Sequence, residues 1–191
     1  MTIIHELICG VTQTGKTTLA REKARKVAAM KNGPIVIIYD PVLTETAGGD
    51  WPDNAHVFNQ RDAFIIYLES IRDGKTTLGS ERGYAVFVDE ADLIFSHSQR
   101  ENDWCLTKGR HVGMQFFLMT QRPKMIAPNV RGQCGIAYVF RLSRSDLKML
   151  GDDLAHNDIE KINLDAGDYL VLKSGSAAIT RHNIFKQLRR K

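Results

Sequence analysis

Two groups of residues in this chain have the types and spacing needed to bind and split a phosphoanhydride. The first is a G-x-x-x-x-G-K-T sequence that runs from Gly10 to Thr17. Its glycines let successive backbone N–H groups point at one phosphate chain, Lys16 brings a mobile charge to the β- and γ-phosphates, and the Thr17 hydroxyl is a ligand for Mg²⁺. The residues that we assign to nucleotide binding are Gly10, Val11, Thr12, Gln13, Thr14, Gly15, Lys16, Thr17 and Thr18. The motif therefore predicts a site for a nucleoside triphosphate, with Lys16 also acting in catalysis.

The second group is the acidic pair Asp89-Glu90, which follows an apolar run at 84–88. A carboxylate at the end of such a strand can hold Mg²⁺, and we assign this role to Asp89 together with Thr17. The next acid has no phosphate charge to neutralise, so we assign Glu90 to polarising the water that attacks the γ-phosphate. An acid dedicated to water favours hydrolysis over transfer to a small-molecule acceptor.

A neutral amide, Gln121, follows the apolar run at 115–120. A glutamine can donate to a γ-phosphate and accept from the attacking water at the same time, which suits a sensor of phosphate loss. The alternative is an ordinary loop amide before Arg122-Pro123. We include Gln121 among the catalytic residues.

These groups require a strand–loop–helix framework to hold them. Apolar runs predict strands at 3–9, 35–39, 84–88, 115–120 and 135–141, with a short strand at 56–58. Helical patterns run from Lys16 to a Gly/Pro break at 32–34, over 62–73, and over 99–110. Continuous apolar strands that alternate with helices predict an α/β fold with a mainly parallel central sheet, and the phosphate loop makes it a P-loop NTPase.

The last fifty residues form a predicted extension to this core. We expect one domain over 1–191, with a core at 3–142 and an extension at 143–191. Ser143 and Asp146 predict a helix N-cap, and the runs at 169–172 and 177–180 predict a C-terminal β-hairpin around Ser174-Gly175-Ser176. The extension ends in a basic tail at 186–191.

Composition and charge narrow the class of protein. The chain has 191 residues, 43% of them hydrophobic and 25% charged, and a net charge of +4. Residues 122–191 carry 13 lysines and arginines against 7 acidic residues, as a nucleic-acid contact would need. The three cysteines are too scattered for a disulfide framework, which predicts small buried thiols in a reducing compartment. No apolar run approaches the roughly 20 residues that span a bilayer, so we expect a soluble intracellular protein without direct membrane insertion.

Taken together, four segments resemble the HerA/FtsK superfamily of P-loop ATPases, which are ring-forming DNA motors. They are the phosphate loop, the strand with its Asp-Glu pair at 86–90, Gly109 to Gly113, and 119–123. The resemblance implies ATP and Mg²⁺ as cofactors, a RecA/FtsK-like fold of the additional-strand type, and a homo-oligomeric ring, a hexamer. It also implies that Arg110 reaches the nucleotide of the neighbouring subunit. Arg122, Arg131 and Arg141 are rivals for that role.

Within the superfamily, the short chain is most similar to genome-packaging ATPases of tailless viruses with an internal membrane. That similarity implies double-stranded DNA and a capsid or membrane portal protein as partners, and a location in the host cytoplasm or at the packaging vertex of the virion. Basic residues available for DNA phosphates are Lys124, Arg131, Arg144 and Lys148.

Three alternatives remain open. The chain could serve filamentous-phage-type assembly, whose ATPases share the core. It could be a nucleoside or nucleotide kinase, in which the loop at 74–83 closes as a lid with Lys75 and Arg82. It could also be an assembly module that binds nucleotide and turns it over slowly.

Overall fold

A single mixed sheet runs through the described part of the chain, which comprises residues 3–43, 50–76 and 81–189 of a computed structural model. Its strands are β1 (His5–Cys9), β2 (Ile35–Tyr39), β3 (His56–Phe58), β4 (Tyr84–Val88), β5 (Met114–Thr120), β6 (Cys134–Val139), β7 (Asp168–Lys173) and β8 (Thr180–Asn183). Their order is β3-β2-β4-β5-β1-β6-β7-β8. Strand β5 therefore lies between the strand before the phosphate loop and the strand before the acidic pair, which is the additional-strand arrangement.

The direction of the strands decides which residues share an edge. Pairing from β3 through β6 is parallel, whereas β7 and β8 are added antiparallel. The carboxyl ends of β1, β4 and β5 consequently meet at one edge, where Gly10, Asp89 and Gln121 follow them. The predicted α/β P-loop fold with a C-terminal hairpin is confirmed.

Helices cover both faces of this sheet. They are α1 (Lys16–Ala28), α2 (Arg61–Arg72), α3 (Asp92–Phe95), α4 (Trp104–Thr107), α5 (Pro128–Arg131), α6 (Arg144–Leu154) and α7 (Ile184–Leu188). Helix α1 packs with α7 on one face, and α2 and α6 pack on the other. Strand β4 is buried along its whole length, which is why its sequence is a continuous apolar run rather than an alternating one.

Two sequence expectations need correction. The segment 99–110 is not one helix but a 3-10 turn (Arg100–Asn102), then α4, then a second 3-10 turn (Gly109–Val112). The buried amide of Asn102 donates to the Ile94 carbonyl at 2.9 Å, which holds the segment against α3. The second hairpin strand starts at Thr180 rather than at 177, so six residues connect β7 to β8.

The remaining sequence predictions either agree with the structure or concern residues outside the described ranges. Ser143 Oγ accepts from the Asp146 amide at 3.1 Å, so the predicted N-cap is present. The three cysteines are free and buried. None of the helices in the described ranges is long and apolar enough to cross a membrane. Parts of the expected loops at 44–54 and 74–83, and of the basic tail, fall on residues 44–49, 77–80 and 190–191, outside the described residues.

Candidate functional site

The phosphate loop is fixed between two strand ends. The Gly10 amide donates to the Thr120 carbonyl at 3.2 Å, and the Val11 amide donates to the Arg141 carbonyl at 2.9 Å. Further along, Gln13 (φ 61°) and Gly15 (φ 106°) adopt left-handed backbone conformations. Left-handed residues in such a turn bring successive N–H groups to one concave side, which is the geometry that cradles an anion.

Lys16 lies at the start of α1 and is 7% exposed. Its Nζ donates to the Val11 carbonyl at 3.0 Å, and the Thr14 hydroxyl donates to the same carbonyl at 2.7 Å. Burial lowers the pKa of the Lys16 ammonium, while the charges of Asp89 and Glu90 oppose that shift. The ammonium is thus held by one neutral acceptor beside two carboxylates, and it can turn to a phosphate that enters the loop.

The Asp89 carboxylate lies in an environment suited to a cation ligand. Burial, together with the nearby charges of Asp40 and Glu90, raises its pKa to about 6, although the Glu90 amide and Lys16 oppose the shift. Its Oδ1 accepts from the Glu90 amide at 3.0 Å, and no salt bridge to it is found among the described residues. A carboxylate whose ionisation is disfavoured by burial is stabilised by a further cation, which fits Mg²⁺. Mg²⁺ needs only one or two protein ligands beside the phosphates.

The side chains near Asp89 agree with a metal that takes few ligands from the protein. No cluster of three or more His, Cys, Asp or Glu side chains suited to a metal occurs within the described ranges. A metal held here would therefore depend on the nucleotide, with Asp89 and the Thr17 hydroxyl as its protein ligands.

Three side chains form a continuous hydrogen-bonded chain across the site. Thr12 Oγ1 donates to Gln121 Oε1 at 2.7 Å, and Gln121 Nε2 donates to Glu90 Oε1 at 2.7 Å. Glu90 itself has a left-handed backbone (φ 47°), a conformation uncommon for a non-glycine residue. The structure thus brings the phosphate loop, Gln121 and Glu90 together, as the sequence predicted.

One acidic residue at this edge was missed from the sequence. Asp40 follows β2, is 4% exposed, and accepts from Trp51 Nε1 at 2.9 Å and from the Val42 amide at 3.2 Å. Its charge is one cause of the raised pKa of Asp89. The sequence feature that could have indicated Asp40 is its position directly after a buried parallel strand, which is also the position of Asp89 after β4.

Arg110 lies at the opposite edge of the sheet from the phosphate loop. It belongs to the 3-10 turn before β5, and it lines a cleft of about 630 Å³ with Arg82, Gly83 and Gly113, which precede β4 and β5. Its Nε donates to the Thr107 carbonyl and its Nη2 donates to Gln133, each at 3.1 Å. Strands of five to seven residues separate the two edges by about 20 Å, so Arg110 does not reach the nucleotide site of its own chain.

The predicted DNA-contact residues are in different environments. Arg131 is 7% exposed, and its guanidinium donates to Asp153 at 2.7 Å and to the carbonyl of Ile126 at 2.6 Å. It ties α5 to α6 and is not available to DNA or to a neighbouring nucleotide, which corrects that expectation. Lys124 is exposed but donates to Ser145 at 2.8 Å. The side chains of Arg144 and Lys148 are exposed on α6.

The extension also contacts the phosphate loop, which sequence patterns did not indicate. The Gly167 amide, just before β7, donates to the Thr14 carbonyl at 3.1 Å, and the Ile184 amide donates to the Gly167 carbonyl at 2.9 Å. A Cβ at Gly15 would lie only 2.8 Å from Ile184 Cγ2. The start of β7 and the end of β8 therefore support the loop from the side away from β5.

The fold, the loop and the acidic strand end define the class: this is a P-loop NTPase fold with the additional strand β5 between β4 and β1. Solved structures agree. The chain is similar to the genome-packaging NTPase B204 of Sulfolobus turreted icosahedral virus 2 in complex with AMPPCP, with a TM-score of 0.74 and 19% identity, over 96% of this chain and 99% of that one. It is also similar to the pCW3 conjugation coupling protein TcpA, with a TM-score of 0.67 and 16% identity, over 100% of this chain and 66% of that one.

A third similarity comes from a larger protein. ATPases 2 and 3 of EssC from Geobacillus thermodenitrificans match with a TM-score of 0.67 and 14% identity, over 97% of this chain and 42% of that one. No protein-family model and no curated protein matches the chain. At these identities the likeness establishes the fold alone.

Proposed function

We propose that this chain is an Mg²⁺-dependent ATPase that moves double-stranded DNA, acting in a homo-oligomeric ring as a viral genome-packaging motor. The single observation that carries the proposal is the chain of hydrogen bonds from Thr12 through Gln121 to Glu90. It joins the loop that binds phosphate to the carboxylate that would activate water. The similar structures supply context, since B204 is described as a genome-packaging NTPase and was solved with an ATP analogue.

The residues divide the hydrolysis between them. The backbone of the phosphate loop and Lys16 bind the β- and γ-phosphates, and Asp89 with Thr17 would hold Mg²⁺, which shields the phosphate charge when bound. Glu90 orients a water molecule for in-line attack on the γ-phosphate. Gln121 bridges that carboxylate to the loop, so entry or loss of the γ-phosphate changes the hydrogen bonds that it can make. This is how the site would sense hydrolysis.

The position of Arg110 supports the ring. In its own chain it lies an entire strand length from the phosphate loop, in a cleft that Arg82 and His111 also line. In a head-to-tail ring this edge of one subunit can face the nucleotide edge of the next, where an arginine stabilises transition-state charge. Six subunits, a capsid or membrane portal partner, and a place in the host cytoplasm or at the packaging vertex complete the proposal.

The test is steady-state hydrolysis of ATP by the full chain, with and without double-stranded DNA, over a range of protein concentrations. We expect the rate per subunit to rise with protein concentration and with DNA, and to disappear when EDTA removes Mg²⁺. Glu90→Gln should lose activity by at least about 100-fold while still binding ATP. Glu101→Gln is the matched control, because that carboxylate is exposed and pairs with Arg61.

Different outcomes separate the remaining classes. Transfer of the γ-phosphate to a nucleoside or nucleotide would contradict the proposal and identify a kinase. A full rate at concentrations where the chain is monomeric would contradict the shared site. Biological output that survives Glu90→Gln would indicate an assembly module that uses nucleotide binding alone.

A further inference from the structure

The direction of the bound phosphate chain follows from the positions of the catalytic side chains. This inference rests on the proposed function, which places the γ-phosphate beside Glu90 and Gln121 at the ends of β4 and β5. The α-phosphate and the nucleoside must then leave the phosphate loop on its other side. That side is formed by the end of β6, the start of β7 and the end of β8, which carries α7.

An exposed aromatic ring stands at this place. Phe185, the second residue of α7, is 39% exposed although its neighbour Ile184 is 2% exposed. A Cβ placed on Gly15 would lie 3.7 Å from Phe185 Cζ, so the ring borders the phosphate loop itself. On its other side the ring covers Gly167, where a Cβ would overlap it.

The ring is held rather than loose. Asn183 Oδ1 accepts from the Lys186 amide at 3.0 Å and caps α7, and Asn183 Nδ2 donates to Asp168 at 2.7 Å. The Gly167 amide in turn donates to the Thr14 carbonyl of the loop. The ring and the phosphate loop are therefore built as one unit. The part of the ring that remains exposed lies beside the loop, on the side where the nucleoside would leave it.

We infer that Phe185 is the stacking platform for the nucleotide base. A flat aromatic ring offers its face to any purine without reading base edges, and stacking of a base on an aromatic side chain is worth enough to change affinity about 10-fold. The site then takes ATP and GTP with similar stacking. Discrimination between them requires groups other than Phe185.

A second feature on the same edge is the alternative position for the base. A cleft of about 550 Å³ is lined by Arg141, Arg144 and Lys161 together with leucines of α6 and of the segment before β7. It lies against α6, on the face of the sheet opposite α1. Both positions adjoin the phosphate loop, since the Arg141 carbonyl accepts from the Val11 amide. Phe185 is favoured because none of the described residues that line the cleft is aromatic.

Calorimetry on the Glu90→Gln chain, whose slow hydrolysis allows binding to be measured, tests the inference with three probes in the presence of Mg²⁺: ATP, GTP and inorganic tripolyphosphate. We expect Phe185→Ala to lower the affinity for ATP and for GTP by about 10-fold each, with the affinity for tripolyphosphate unchanged. Phe185→Tyr should keep the parent affinity for both nucleotides. Ile66→Ala is the matched control, because Ile66 is an exposed apolar residue on α2, remote from the loop.

Each other result has a distinct meaning. Equal ATP affinity in Phe185→Ala and its parent would overturn the inference about Phe185 but not the proposed function. If Arg144→Ala instead weakens ATP but not tripolyphosphate, the base binds in the α6 cleft. Equal weakening of ATP and tripolyphosphate also overturns it, because Phe185 would then act on the loop. A parent chain that binds neither ATP nor tripolyphosphate overturns the proposed function.

Discussion

Gln121 donates a hydrogen bond from Nε2 to Oε1 of Glu90 at 2.7 Å, across the gap between the ends of β5 and β4. In this arrangement the carboxylate is already occupied by an amide donor. A water molecule activated by Glu90 would bind the second carboxylate oxygen, Oε2, or compete with the amide at Oε1. Since the other end of Gln121 accepts from Thr12 in the phosphate loop, occupancy of the loop and freedom of Glu90 are coupled through one side chain.

Replacing Gln121 tests this coupling. We expect Gln121→Ala to lower kcat about 100-fold with little change in ATP affinity, because the amide acts on the water and the γ-phosphate rather than on the bulk of the nucleotide. Thr12→Val removes only the link between Gln121 and the loop, so its loss in kcat should be smaller, about 10-fold. Steady-state kinetics with parallel ATP-binding measurements check both. Equal kcat in Gln121→Ala and the parent chain would contradict the coupling.

Asp89 gives a prediction about stability and pH. Its pKa is about 6 in the folded chain against 3.8 for an ordinary aspartate, so the folded state binds more protons than the unfolded state between those values. Stability therefore falls as pH rises through this window, and the full penalty is present above pH 6. Without Mg²⁺ or nucleotide, Asp89→Asn should be more stable than the parent by about 1–3 kcal/mol at pH 7.5.

The check is urea unfolding of both proteins at pH 7.5 and pH 4.5. The advantage of Asp89→Asn should shrink at the lower pH, where the folded parent is protonated at this position. The same variant should lose Mg²⁺-dependent hydrolysis, since it removes the charged metal ligand. A stability difference that does not change with pH would rule out the buried charge as its cause.

Much of this site was predictable because its parts are local. The phosphate loop, the Asp89-Glu90 pair and Gln121 each follow an apolar strand directly, and parallel strands bring their carboxyl ends to one edge. Asp40 also follows an apolar strand directly, but as a single acid before a proline. The parts that were not predictable depend on contacts distant in sequence: Gly167 bonds to Thr14, and Asp153 binds and buries Arg131, an arginine that composition alone presents as a free cation.

The breaks in the predicted helix at 99–110 could not be predicted from the sequence either. One helix was predicted over 99–110, but the segment forms short turns, with the buried amide of Asn102 bonded to the Ile94 carbonyl outside the segment. Arg110 consequently lies in a 3-10 turn before β5, at the edge of the sheet opposite the phosphate loop.

A shared site can be tested by mixing two inactive variants. Arg110→Ala should reduce hydrolysis by at least about 1,000-fold, and Glu90→Gln by at least about 100-fold, with ATP binding retained in both. In mixed rings, some interfaces combine Glu90 from one variant with Arg110 from the other, so an equal mixture should recover about a quarter of the parent rate. Arg82→Ala, a change in the same cleft, should retain activity. No recovery on mixing, or a fully active Arg110→Ala, would contradict a trans arginine.

Gly167 and Gly175 form a matched pair that tests how the extension supports the phosphate loop. Both have left-handed backbones, with φ of 83° and 76°, but a Cβ meets the Phe185 ring at Gly167 and nothing within 4 Å at Gly175. Gly175→Ala should therefore cost about 1 kcal/mol of stability, and Gly167→Ala about 3 kcal/mol with weaker ATP binding. Adding Phe185→Ala should recover part of the stability lost in Gly167→Ala, because it removes the overlap. Equal losses at the two glycines in thermal and urea unfolding, with no recovery in the double variant, would show that Gly167 matters only for its backbone angle.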